Sequence, residues 1–296
     1  MGWRVIVIEN PAKLGLKDNK LVIEQEEKVT IPLEDIDSLV IDGDGIILSK
    51  NIISACSDFG ANVLICDDKH LPSSVIIPYS QASRGVKVAR AQLNMPEATR
   101  KQLWRKNIMQ KITNQADVLQ KYGHEHKDLR ELARTVRSGD VGNNESTAAR
   151  LYFDRLLGDT TRRKPMWHNS ALNYGYAIVR SAIARNVASR GLISMVGINH
   201  HSELNQYNLV DDLIESFRPI VDDYILSSVA IYHIGEGDDR LSSNDRRLII
   251  DILNKNDIIC NKKFDVKFSI DKMVESFTRA ILEDKVELLE LPTILK

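Results

Sequence analysis

Sulfur is scarce in this chain and long apolar stretches are missing. Three cysteines (Cys56, Cys66 and Cys260) are spread over 296 residues, an odd number with no CxxC pair. That excludes a disulfide framework and a thiolate zinc site, and a reducing cytoplasm is the expected setting. Apolar runs such as Val5 to Ile8 fall far below the roughly 20 residues that cross a bilayer, and no secretory signal layout opens the chain, so no membrane role is expected. The motifs GxxxxGKS or GxxxxGKT, GxGxxG, GxSxG and HExxH do not occur. ATP use, serine hydrolysis and zinc-protease chemistry therefore find no support. There is no internal repeat and no low-complexity segment, and 43% hydrophobic with 27% charged residues is ordinary for a globular protein of about two domains.

Net charge is also missing. A balance of −1 and a pI near 6.7 argue, taken alone, against a nucleic-acid binder, because phosphate contacts leave a basic excess. The distribution says otherwise: from Arg84 to Arg190 basic residues outnumber acidic ones by roughly twelve, among them Arg100, Lys101, Arg105, Lys106, Arg130, Arg134, Arg137 and the run Arg162, Arg163, Lys164. Any one of these charges is also compatible with a solvated helix surface.

The pattern along the chain predicts an α+β protein. Residues 1–80 alternate short β-rich runs with turn signals: WRVIVI, KLVIE after Asp18-Asn19, KVTIP, IDSLVIDGDGIIL and, after one small helix at 50–58 stopped by Gly60, ANVLIC. A Pro- and Ser-bearing stretch from Pro72 to Ser83 marks the boundary. Residues 84–296 then read as an almost wholly α-helical domain, with helices over about 86–93, 97–122, 126–137, 146–157, 171–190, 209–217, 221–231, 244–254 and 271–283. Small residues (Gly175, Ala177, Ala182, Ala184, Ala188) in the 171–190 segment predict close helix packing at its centre.

Three groups in distinctive local patterns carry the chemistry: Glu145 in NNESTAARLYF, His200 in GINHH and Glu215 in NLVDDLIESFRP. A hard divalent cation, Mg²⁺ or Mn²⁺, takes carboxylate oxygens and tolerates an imidazole. Glu145 falls in the first turn of its helix, where a capping box would account for it equally well, yet it shares a stripe with Ala149, Tyr152 and Leu156. Asp212 and Glu215 are neighbours on the polar arc of the 209–217 segment; a solvated acidic face and a cation-bridged pair are both consistent with that spacing. His200 and His201 follow a glycine-flanked interruption, and at most one of two adjacent rings faces a site.

Together these segments resemble the CRISPR adaptation integrase family, CRISPR-associated protein one, and more closely its type II branch. NNESTAARLYF resembles the family's metal-glutamate helix, NSALNYGYAIV its central Asn-Tyr-Gly-Tyr helix, and GINHHSELNQYNLVDDLIESFRP its histidine loop, acidic helix and Phe-Arg-Pro; CDDKHLPSSVIIP is also family-like. The resemblance implies an N-terminal β-sandwich domain and a larger all-α C-terminal catalytic domain. It implies a homodimer, with two such dimers flanking a dimer of a small ferredoxin-like adaptation partner. It places the metal ligands on Glu145, His200 and Glu215, with His200 preferred to His201 because it completes the Gly-x-x-His pattern from Gly197. Asp212 matches a further acidic position near the metal, and Asn173 and Tyr176 match polar positions lining the site. The implied reaction joins the 3′-hydroxyl ends of short foreign DNA (the prespacer duplex) into a CRISPR repeat by transesterification. A metal-dependent nuclease for branched DNA and a non-catalytic DNA-binding scaffold are the competing readings.

Overall fold

The computed structural model describes residues 4–68, 72–76, 85–158, 166–229 and 240–295. The chain divides into two compact units, Met1–Gln81 and Ala82–Lys296.

In the first unit the strands are β1 (Arg4–Ile8), β2 (Ala12–Lys17), β3 (Lys20–Glu24), β4 (Lys28–Pro32), β5 (Ile36–Ile41) and β6 (Ile46–Leu48); helix α1 (Lys50–Phe59), β7 (Asn62–Cys66) and β8 (Pro72–Ile76) follow. They form two four-stranded sheets, in the orders β1-β5-β7-β8 and β4-β3-β2-β6. Asp18 and Asn19 both take positive φ, the geometry of a two-residue hairpin turn, and Lys17 pairs Lys20 across it. Ile8, Leu39 and Ile41 of one sheet share a hydrophobic core with Leu14, Leu21 and Ile23 of the other. Ser49 caps α1, and Gly60 at φ +73° ends it, so that Ile52 and Cys56 enter the same core. Two strands were not expected from the sequence. β2 (AKLGLK) hides its alternation behind lysines and Gly15. β8 lies inside the stretch assigned to the boundary; it is an edge strand antiparallel to β7, where a leading proline costs no ladder hydrogen bond.

The second unit holds α2 (Gly85–Leu93), α3 (Glu97–Lys121), α4 (Lys127–Thr135), α5 (Asn144–Leu157), α6 (Trp167–Ser189), α7 (Asn208–Leu213), α8 (Arg218–Tyr224) and α9 (Ser243–Ile250); β9 (Asn256–Ile259), β10 (Lys262–Asp265) and α10 (Val266–Glu283) complete it. The expectation of an all-α domain is therefore corrected. β9 and β10 form an antiparallel hairpin closed by Cys260 and Asn261, both at positive φ, and two four-residue strands are too short to show a period in sequence. The single helix expected over 209–217 is corrected too. After α7 the backbone tightens into a 3-10 turn at Ile214–Phe217 before α8 begins. Pro219 explains the break: it lacks an N–H and its ring crowds the carbonyl of Glu215, four residues earlier.

Both long helices, α3 and α6, are buried along much of their length. A Cβ at Gly175 would come within 2.7 Å of Val221 Cγ1, so this glycine lets α6 approach α8 closely. The tail after α10 returns to α3: Lys106 Nζ donates to the Glu287 carbonyl (3.1 Å) and Asn114 Nδ2 to that of Pro292 (3.0 Å). Thr293 bridges to Ile258 of β9. Among the described residues no helix is long and apolar enough to cross a membrane.

Candidate active site

Helix α3 builds the site with an unusual polar stripe. Asn107, Lys111 and Asn114, at helical spacing and all buried, face the segment from Asp212 to Ser216. Asn107 Nδ2 donates to the Asp212 carbonyl (2.6 Å) and Asn114 Nδ2 to that of Ser216 (2.9 Å). These two amides hold the backbone on either side of Glu215, and Lys111 meets the Glu215 carboxylate between them. Sequence reading missed this stripe. Its signal was there, since the three polar residues repeat at i, i+4 and i+7 beside Leu103, Trp104, Ile108 and Ile112.

Glu145 reaches the same place from α5. The first amides of that helix, Asn144 N and Glu145 N, are capped by the two oxygens of Asp140, each at 3.0 Å. Asp140, not Glu145, is thus the anion at this helix start. The Glu145 carboxylate, freed from capping, accepts from Lys111 Nζ at 2.5 Å. Glu215 instead is almost wholly buried, and Arg218 Nε donates to its second oxygen at 2.9 Å. Burial pushes the Glu215 pKa up, but the Lys111 ammonium and the Arg218 guanidinium outweigh it and hold the carboxyl down at about 2. Burial likewise works against a charged Lys111, and Glu215 and Glu145 overcome it, so its pKa lies above the ordinary lysine value.

His200 belongs to a loop organised by Asp212. That carboxylate, fully buried, accepts from the amides of Ile198 (2.5 Å), Asn199 (2.9 Å) and His200 (3.1 Å) and lies 2.7 Å from His200 Nδ1. A solvated acidic face is thereby excluded for Asp212 and Glu215: both point inward. With Nδ1 on a carboxylate, Nε2 is the ring nitrogen left to bind something else. The hydrogen bond to Asp212 raises the His200 pKa, with desolvation opposing and Glu215 adding to the rise. The Trp104 ring stands edge-on at 5.9 Å, while His201 turns to the Asn199 carbonyl at 2.8 Å.

Tyr176 lies at the far side of the cluster. Its ring carries the Arg218 guanidinium at 4.8 Å, and its hydroxyl bonds Asp222, as does that of Tyr152 (2.9 Å). Asn173, one turn earlier on α6, is exposed. Of the basic residues singled out in sequence, Arg105 and Arg130 turn to internal partners, while Arg100, Arg134 and Arg137 are exposed; Arg84 and the run Arg162, Arg163, Lys164 lie outside the described residues.

Among the described residues no group of three or more His, Cys, Asp or Glu side chains is gathered tightly enough to hold an ion as it stands. What is gathered is two glutamates around one buried cation, with an imidazole alongside. Such a donor set suits a hard divalent ion, and the charge at its centre is at present the protein's own lysine.

The family described as CRISPR associated protein Cas1 matches residues 5–255. The chain belongs to that family. A Cas1 relative from Neisseria meningitidis serogroup C (strain 8013), named CRISPR-associated endonuclease Cas1, is 40% identical over 299 residues, covering 100% of this chain and 97% of the relative. Among solved structures, a casposase bound to integration product superposes with a TM-score of 0.79 at 20% identity, over 96% of this chain and 92% of its own. A Cas6-RT-Cas1–Cas2 complex does so at 0.74 and 19%, over 99% of this chain and 36% of the larger chain. At those identities the two superpositions show a shared fold.

Proposed function

We propose that this Cas1 protein is a metal-dependent DNA integrase and endonuclease of CRISPR adaptation. It joins the 3′-hydroxyl ends of short foreign DNA into a CRISPR repeat. The observation that supports this most is the meeting of Glu145 and Glu215, from separate elements, on one buried cation beside the Asp212-held ring of His200. These three side chains would hold Mg²⁺ or Mn²⁺, which supplies charge to lower the pKa of an attacking hydroxyl or to neutralise a departing oxygen.

The remaining residues prepare that place. Asp212 fixes the tautomer and orientation of His200 so that Nε2 points away from it. Arg218, stacked on Tyr176, holds one oxygen of Glu215 and keeps that carboxylate ionised. Asn107 and Asn114 fix the turn that carries Glu215. In the reaction the 3′-oxygen forms a new bond to phosphorus, the target strand's bond from phosphorus to its own 3′-oxygen breaks, and a new 3′-hydroxyl leaves with a proton. One phosphodiester replaces another, so no nucleotide cofactor is needed. Exposed Arg100, Arg134 and Arg137 would hold phosphates without reading bases.

The assembly we propose is a homodimer, with two dimers flanking a dimer of a small ferredoxin-like partner; the solved complex that contains a Cas1 region together with Cas2 supports such a partner. Casposase with its integration product supports strand joining, while the name endonuclease on the Neisseria relative favours cutting as the second reading, with water as attacker. A repeat-bearing plasmid, a labelled short duplex with free 3′-hydroxyls and the purified partner separate the two. Label transferred to the plasmid in Mn²⁺ is the expected result; cutting with no transfer would leave the nuclease. Glu145→Gln and Glu215→Gln should each lower transfer by about 100-fold or more, with DNA retention kept. Undiminished transfer would reduce the protein to a scaffold.

A further inference from the structure

Lys111 is the one buried side chain of α3 that puts a full positive charge into the cluster. Its side chain is 6% exposed, and its ammonium donates to Glu145 Oε1 and to Glu215 Oε2. With Arg218 on the other Glu215 oxygen, the cluster balances without any metal: two carboxylates face one ammonium and one guanidinium. A buried Glu215 carboxylate facing the half-buried Glu145 without counter-charge would be costly, which explains why a lysine stands where α3 otherwise buries Ile108 and Ile112.

The same geometry sets a conflict. A divalent ion that bridged Glu145 and Glu215 would occupy the space of the ammonium, and two cations a few ångströms apart in a buried site repel strongly. We propose that Lys111 is a built-in competitor of the metal: the ion enters only as Nζ leaves the two carboxylates, so lysine-closed and metal-loaded are alternative states of one site. This inference rests on the metal-binding reading above. The anatomy suits a switch confined to one side chain. Asn107 and Asn114 pin the helix on both sides of Lys111 to the backbone around Glu215, so α3 stays in place. A rotation of the four-carbon Lys111 stem would carry its charge toward Glu145, whose side chain is 32% exposed. A site closed this way pays for metal entry in affinity.

Mn²⁺ titration by calorimetry on the full-length protein and on Lys111→Met tests this. The methionine keeps length and removes charge. Lys111→Met should bind Mn²⁺ more tightly by about tenfold or more and gain more thermal stability from it. Equal or weaker binding by the variant would overturn the proposal while leaving the metal site intact. If neither protein binds Mn²⁺, the metal-site reading falls and the competitor with it. A second measurement needs no variant: acetylation of Lys111 by a water-soluble acylating reagent, read by peptide mass spectrometry, should rise when the parent is saturated with Mn²⁺. Unchanged labelling at saturation would equally overturn it.

Discussion

At the scale of single residues the site is held by contacts too tight to absorb a methyl group. A Cβ on Gly197 would lie 2.2 Å from the His200 carbonyl oxygen and 2.7 Å from Asp212 Oδ2, of the carboxylate that holds the imidazole. Gly197→Ala is therefore expected to cost roughly 2 kcal/mol of stability and to depress strand joining beyond what the fall in Tm accounts for. An unchanged Tm with full joining would contradict it. Glu145, His200 and Glu215 stood out in sequence because they lie in marked local patterns. Lys111 was not, because a lysine in a basic stretch reads as solvent-facing until its partners on α5 and after α7 are known. Asp140 was missed for a similar reason: a cap offered from outside the helix, across the left-handed Asn143, leaves no signature at the expected N-cap position.

At the scale of elements, most helices were legible from the 3.6-residue period, and the exceptions have local causes. The helix expected over 209–217 is α7 followed by a 3-10 turn ahead of Pro219, and that turn carries Glu215. α10 begins five residues before its expected start, because Asp265 caps it by accepting from Phe268 N at 2.6 Å. The β9–β10 hairpin yields a prediction of its own. Asp257 is buried on β9, bonded by the Ser269 hydroxyl through Oδ1, while Oδ2 has no hydrogen-bond partner. Burial pushes its pKa up from 3.8 to about 7. The folded state thus holds this proton more tightly than the unfolded chain. The stability it contributes is complete below about 3.8 and is lost as pH rises through about 7. Asp257→Asn should raise stability near pH 8 by on the order of 2 kcal/mol, seen as a higher Tm, and flatten the decline between about pH 4 and 7. Parallel Tm–pH curves for parent and variant would contradict the assignment.

At the scale of the whole molecule, the order and spacing of the segments around Glu145, Asn173, His200 and Glu215 were enough to name the family, and the match over residues 5–255 agrees. The sheet-rich first unit and helical second unit were legible from the change in period near residue 80. The charge logic of the site was not: it depends on α3, α5 and the turn before α8 meeting in space, and no segment alone shows that two acids share one lysine. The central claim is that those acids and His200 take up a divalent ion. Anomalous diffraction from crystals of the protein soaked in Mn²⁺ tests it most directly. The account predicts one peak within about 2.3 Å of an oxygen of Glu145, an oxygen of Glu215 and Nε2 of His200, with Lys111 Nζ withdrawn. A protein that joins DNA while these three side chains show no peak would contradict it.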